Sequence, residues 1–448
     1  AWSSAACCGV TREAAPLFSG SLTGSIGARP WRGEESVTEE TVNKDIVVRE
    51  IAPKETGLKE IGPEEISPGR RSTNRLFAHS GSVVPAGLAP VVAEIEAAVT
   101  AGEIPGAVLV IGRGDETLLC SVAGSAEIYR DASRRPMTTE TLFDLASLTK
   151  VVATLPAVLR LAGDRAFGLD DRVVRILPEF SGGGKEEVTV RQLLTHTSGL
   201  ASHREFFRTA DSPDQIWQDL LREELEQPPG RRVTYSDLGY ITLGRLISSV
   251  AGEPLDRAVS ELVLEPRGLA STGYLPPADR ARLAAATEAF EDGSARVGTV
   301  HDENAAALGG VAGHAGLFGT AADMASYLMQ WCGAPGSDQE IDRLLRPELR
   351  EEALRCQTEG TNGHRGLGWT ARCDAYDHLG AGWPATAVGH TGFTGTSLGL
   401  EPVSGVWVVL LTNAVHFGRS GVMVRLRAKI HGMIADAFGF EDPVECGQ

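Results

Sequence analysis

The stretch Phe143-Asp144-Leu145-Ala146-Ser147-Leu148-Thr149-Lys150 sets a serine and a lysine three residues apart, just ahead of apolar positions at Val151, Val152, Leu155, Val158 and Leu159. That pattern predicts a helix from Ser147 to about Leu161 with one buried face. Residues three apart share a helix face, so Ser147 Oγ and Lys150 Nζ can meet, and a serine in the first turn lies in the positive end of the helix. Burial disfavours the charged form of a lysine, so Lys150 is expected to have a lowered pKa and to accept the serine proton. Ser-x-x-Lys alone recurs by chance in many proteins; the apolar flanks separate this one from a solvated helix pair.

Two later segments have chemistry of their own. In Pro229-Gly230-Arg231-Arg232-Val233-Thr234-Tyr235-Ser236-Asp237-Leu238-Gly239-Tyr240 a turn leads into a helix, so the Tyr235 phenol can be aimed at a site as a proton relay. The plainer alternative is a core tyrosine at a helix start capped by Ser236 and Asp237. In Gly389-His390-Thr391-Gly392-Phe393-Thr394-Gly395 the glycines precede an alternating apolar strand. Glycines at a sheet edge let a substrate approach the backbone, where an N–H can serve an oxyanion. A Gly-rich hairpin turn with an ordinary histidine is the alternative.

In this order the three segments resemble the Ser-x-x-Lys, Tyr-x-Asn and Lys-Thr-Gly elements of the serine β-lactamase and penicillin-binding protein superfamily. Arg191-Gln192-Leu193-Leu194-Thr195-His196-Thr197-Ser198-Gly199-Leu200 resembles a stretch common in its class C-like branch. Val300-His301-Asp302-Glu303-Asn304 followed by Gly309 to Phe318 is similar to a set of esterases and muropeptide amidases more than to true β-lactamases. The resemblance runs from about Pro85 to Phe438. It implies that Ser147 is acylated, that Lys150 and Tyr235 manage the proton, and that the Ser147 and Phe393 N–H groups form the oxyanion hole. It also implies substrate contacts from Asp237, His390, Thr391, Gly392 and His314, and no metal or organic cofactor. His196 is expected to stabilise a helix–loop junction.

The chain departs from that pattern twice. His390 stands where the third element has lysine, and an imidazole with a reference pKa near ~6.5 is mostly neutral at pH 7, so it grips a carboxylate less firmly. Asp237 stands where the second element has asparagine; if it touches Lys150 it would hold the lysine protonated and leave Tyr235 as the base. No acidic loop of the class A type is visible to supply a deacylating water.

Away from these segments, residues 1–85 are rich in Glu, Ser, Gly and Pro, with three irregular Glu-Ile-small-Pro units between Glu50 and Pro68, and are expected to form a low-complexity extension. Residues 86–448 are expected to form the catalytic domain. Its N-terminal helix would bear Leu88, Val91, Val92, Ile95 and Val99. Strands are predicted at 107–111 and 117–122 and again at 396–400 and 406–411, with helices at 238–250 and 424–438. Strands at both ends with helical sequence between give an α+β fold: an antiparallel terminal-strand sheet flanked by helices, plus an all-helical subdomain.

A formal net charge of -17 argues against nucleic acid or an anionic membrane as partner and fits a small-molecule or peptidoglycan-derived substrate. The longest apolar run, Val406 to Leu411, is too short to span a bilayer. The seven cysteines form no CxxC or Cys/His cluster and are expected to be free thiols. With no basic-then-apolar leader pattern visible, a cytoplasmic location is expected. The expected activity is ester or amide hydrolysis through an acyl-Ser147. The alternatives are a biosynthetic transacylase, a non-turnover penicillin-binding sensor, or a metallohydrolase using His301, Asp302 and His314.

Overall fold

Residues Ala107 to Ile111 are apolar without interruption and fully buried, as suits a central strand covered on both faces. In the computed structural model they lie in strand β1 (Gly106–Arg113), followed by β2 (Glu116–Ile128), β3 (Arg134–Pro136), β4 (Phe143–Asp144), β5 (Gly273–Tyr274) and β6 (Leu317–Gly319). The C-terminal strands are β7 (Thr370–Ala371), β8 (Val388–Thr391), β9 (Ser397–Glu401) and β10 (Val406–Thr412). Seven of them form one sheet in the order β3-β2-β1-β10-β9-β8-β7, and β4-β6-β5 form a small second sheet. All pairings in both sheets are antiparallel. The described residues are 85–290, 294–332, 346–444 and 446, so the expected extension, with its Glu-Ile-small-Pro units, lies outside them except for Pro85.

Side chains alternate across the sheet, and both faces are covered. Leu109, Ile111, Val408 and Leu410 pack with α1 (Ala89–Thr100) and with the terminal helix Val422–Phe438 through Leu426, Ile430 and Ile434. On the other face Val108, Val110, Val409 and Leu411 join a larger core. That core includes α2 (Leu155–Gly163), α3 (Val190–Leu194), α4 (Pro213–Arg222) and α5 (Asp237–Ala251), the helical subdomain. Each fully buried Val, Leu or Ile contributes about 1.5–3 kcal/mol, which is why the two cores fix the sheet between them. The α+β architecture is the one the sequence predicts.

Two local expectations are corrected. The helix from Ser147 is not regular: a 3₁₀ turn covers Ala146–Leu148, a π-helical turn covers Lys150–Thr154, and only then does α2 begin. Pro156 lacks the N–H that would bond the Val152 carbonyl, and the Leu155 N–H reaches back to Lys150 instead. The cysteines are not all free, because Cys373 and Cys446 form a disulfide across a separation of 73 residues. The tail is brought there by a Pro384–Pro443 bridge and by the Val444 N–H on the Trp383 carbonyl, contacts no cysteine spacing reveals. Cys120, Cys332 and Cys356 remain free thiols, while Cys7 and Cys8 lie outside the described residues. The one helical stretch long and apolar enough to cross a membrane among the described residues, Ala146–Gly163, is 83% buried within the fold, as a core segment is.

Candidate active site

Ser147 is held by its neighbours on both sides. Asp144 ends β4, and its two carboxylate oxygens accept from the N–H groups of Ala146 (2.8 Å) and His301 (2.6 Å). Ala146 sits at φ 47°, a left-handed conformation that needs such a brace. Full burial pushes the Asp144 carboxyl up to about 6. The loop after β8 closes on the same segment, with Thr394 Oγ1 donating to the Asp144 carbonyl and Thr396 Oγ1 to that of Leu145. Gly392 makes this approach possible, since a Cβ there would stand 2.6 Å from the Leu145 carbonyl oxygen. Replacing Asp144 by alanine leaves two buried N–H groups without acceptors, so Asp144→Ala is expected to lower unfolding stability by about 2–5 kcal/mol in urea titration.

Lys150 Nζ is ringed by acceptors. It donates to Ser147 Oγ (3.0 Å) and to the His314 carbonyl (3.0 Å), and pairs with Asp237 Oδ1 (2.8 Å). The His314 carbonyl reaches it because Gly313 packs on α5, where a Cβ would stand 2.1 Å from the Tyr240 carbonyl oxygen. Burial works against the lysine charge, but Asp237 and Tyr235 outweigh it and raise the Lys150 pKa above its ordinary value. This reverses the expectation of a lowered pKa. For Asp237 burial opposes the charge too, and Lys150 together with His203 overrides it and holds the carboxyl well below the usual carboxylate range. The contact on which the reading of Asp237 depends is therefore present, and an ammonium with its donors engaged has no lone pair with which to take a proton.

Tyr235 is half-buried, with Lys150 Nζ 5.0 Å from its ring centre. His196 frames it: the His196 carbonyl accepts from Thr234 N–H (2.8 Å), and Nδ1 accepts from Ser236 N–H (3.0 Å). The imidazole also packs on the Tyr235 ring at 4.5 Å between centres. The junction expected of His196 is thus the mount of Tyr235, and burial followed by the Arg365 and Lys150 charges keeps its ring neutral. Ser236 caps α5 by accepting from Gly239 N–H, as the plainer reading proposed, without removing Tyr235 from the site.

His390 lies 6.1 Å from Tyr235 between ring centres and is almost wholly buried. Its pKa is held well below 6.5, by burial first and then by the charges of Lys150 and Arg365, so it is more firmly neutral than its type implies. Thr391 ends β8 and Gly392 follows it; the Phe393 ring is exposed. The buried His314 ring turns to Asp302 (2.9 Å), while His301 faces Glu288 (3.3 Å). The histidine pair of the metallohydrolase alternative is therefore split between two carboxylates.

Sequence reasoning missed three participants. His203, which is exposed, stands 3.5 Å from the second Asp237 oxygen, and that hydrogen bond raises its pKa. Arg365 is buried against Asp374 (2.8 Å), its guanidinium 5.6 Å from the Tyr235 ring centre. Tyr376 packs against Tyr235 at 5.2 Å between ring centres, tilted by 32°. None lies in a motif; His203 is only six residues beyond Thr197, but Arg365 and Tyr376 are more than 120 residues beyond Tyr235.

A serine and a lysine three residues apart beneath an antiparallel sheet edge, faced by a tyrosine from a helical subdomain, are the arrangement of the serine β-lactamase and penicillin-binding protein superfamily. The Beta-lactamase family profile matches residues 91–432, and the chain belongs to that family. Its general chemistry is that of a serine hydrolase working through an acyl-enzyme. The chain is 32% identical over 361 residues to an N-acetylmuramyl-L-alanine amidase of Bacillus subtilis (strain 168), covering 72% of this chain and 80% of that protein. It is 33% identical over 309 residues to an Escherichia coli (strain K12) protein provisionally named a D-alanyl-D-alanine carboxypeptidase, covering 62% and 70%. Among solved structures, EstCE1, a hydrolase with promiscuous acyltransferase activity, aligns with TM-score 0.62 at 25% identity over 78% of this chain and 98% of its own. A class C β-lactamase from Rhodobacter sphaeroides shares the fold, with TM-score 0.61 at 18% identity over 78% and 99%.

Proposed function

We propose that the protein hydrolyses an amide of a muropeptide through an acyl-Ser147 intermediate. The observation that carries this is the Lys150 ammonium, held by Asp237 and the His314 carbonyl and donating to Ser147 Oγ. In the first step Tyr235 takes the Ser147 proton on its phenolic oxygen, Ser147 Oγ bonds to the carbonyl carbon, and the developing oxyanion is met by the Ser147 and Phe393 N–H groups. As the C–N bond breaks, Tyr235 returns the proton to the departing amine. Water then cleaves the ester to free acid and Ser147. Lys150 steadies the attacking oxygen throughout by charge-assisted hydrogen bonding.

The similarity to a muropeptide amidase supports the amide over the ester. The similarity to EstCE1 keeps a small ester as the second reading. A substrate carboxylate finds no cation in His390, so neutral esters and muropeptide amides, whose acyl half is uncharged, should be turned over with higher kcat/KM than penicillins, with that preference unchanged from pH 6 to 9. The test is intact-protein mass after exposure to muropeptides, neutral esters and penicillins, alongside steady-state rates for each. A transient adduct of the acyl fragment's mass is expected. Penicillin hydrolysis at pH 8 equal to or faster than that of neutral substrates would overturn this reading.

A further inference from the structure

The loop that brings Gly392 against Leu145 also carries Phe393, whose side chain is 61% exposed. The segment that carries Ser147 is thus bordered by a loop that presents one large apolar ring to solvent. This ring is also fixed in place. The Thr394 hydroxyl ties its loop to Asp144, the His301 imidazole stacks on it at 5.5 Å and 22°, and the Arg419 guanidinium stands 5.7 Å from its centre. Arg419 is itself held by both oxygens of Glu288 and by Glu303.

The charges around the ring narrow what it can receive. Arg419 is engaged by two carboxylates and Arg296 donates to the Val300 and His301 carbonyls, so the cations around the ring are held in internal contacts. What remains is a flat apolar surface bordered by carboxylate oxygens that can accept from hydroxyl groups. An apolar platform with a few convergent acceptors suits a neutral, hydroxylated ring: the aliphatic face of a pyranose lies on the aromatic ring while its hydroxyls bond the carboxylates.

Resting on the muropeptide reading above, we infer that Phe393, bordered by Glu288 and Glu303, is the subsite for the sugar ring of the acyl half of the substrate. The sugar then lies beside the oxyanion amide that Phe393 itself supplies, and the peptide leaves on the opposite side. A carboxypeptidase would instead place peptide on the acyl side.

The test uses two substrates with the same scissile amide: a muramyl dipeptide, and the matching lactoyl dipeptide in which the sugar ring is absent. Wild-type protein should favour the muramyl compound at least about tenfold in kcat/KM, mostly through KM, and Phe393→Ala should reduce that ratio to about threefold or less. Phe393→Tyr, which keeps the platform, should retain the ratio. Because the side chain is exposed, both variants should fold, as their thermal transitions will report. Equal cleavage of the two compounds by wild type, or a ratio that survives Phe393→Ala, overturns the subsite and leaves the muropeptide reading standing. Failure to cleave either compound, with a fluorophosphonate still labelling Ser147, overturns the muropeptide reading and the subsite with it.

Discussion

Ser147→Ala is expected to abolish fluorophosphonate labelling and to lower turnover by about 10³- to 10⁶-fold, the range seen when a serine nucleophile is removed and only the oxyanion donors and binding remain. The geometry makes the loss specific. In the variant Lys150 keeps Asp237 and the His314 carbonyl, so the ion pair survives and only the attacking oxygen and its hydrogen bond are gone. Thermal stability should therefore stay close to wild type while activity falls. Turnover retained within tenfold of wild type would show that Ser147 is not the nucleophile, whatever the labelling result.

Lys150→Met is expected to destabilise the protein by about 3–5 kcal/mol, because it leaves Asp237, whose side chain is only 18% exposed, as a poorly compensated anion. His203, the other partner of Asp237, is exposed and stands farther off, at 3.5 Å. The pH dependence follows from the directions of the two shifts. Asp237 is held below its unfolded value, so its contribution is present above about pH 4 and fades as pH falls towards its folded value. Lys150 is raised, so its contribution is complete below about pH 10 and is lost only as pH rises through the folded value. The wild-type pair is thus fully stabilising across the neutral range. In Lys150→Met burial acts on Asp237 without the lysine charge, so the variant regains stability by protonating as pH falls. The deficit should be largest near pH 7–8 and shrink towards pH 4 in denaturant titrations. The double change Lys150→Met/Asp237→Leu should recover most of the loss. A deficit independent of pH would mean that Lys150 contributes packing alone.

The part of this molecule legible in its sequence is the part written in local periodicity. The run Ala107–Ile111, the terminal-helix apolar positions and the strand at Val406 all declare themselves, because strand alternation and helix spacing are set by backbone geometry over a few residues. Ser147, Lys150 and Tyr235 can be named as candidates for the same reason, as short motifs at element starts. The irregular turn at Lys150–Thr154 was not, since it depends on how Pro156 redistributes hydrogen bonds within a buried segment. The sign of the Lys150 shift also escaped, although Asp237 was in view: burial alone predicts a fall, and only the 2.8 Å contact decides that the carboxylate wins. Arg365, Tyr376 and the Cys373–Cys446 disulfide are products of tertiary approach between distant segments, and no spacing encodes them.

Strand β1 lies between β2 and β10, and the β1–β10 register joins residues such as Ala107 and Thr412, about 300 positions apart. On a ribosome moving at roughly 5–20 residues per second, β1 waits on the order of 15–60 s for that neighbour. Throughout that interval its apolar edge has no partner, and for most of it the Gly392–Phe393 loop has not been made. Folding of this domain is accordingly expected to be largely post-translational and slow, as non-local strand pairing imposes. Nascent chains stalled before residue 406 should be captured by holdase chaperones and be incapable of reacting with an acylating probe, which makes the last strand the event that turns a bound polypeptide into an enzyme.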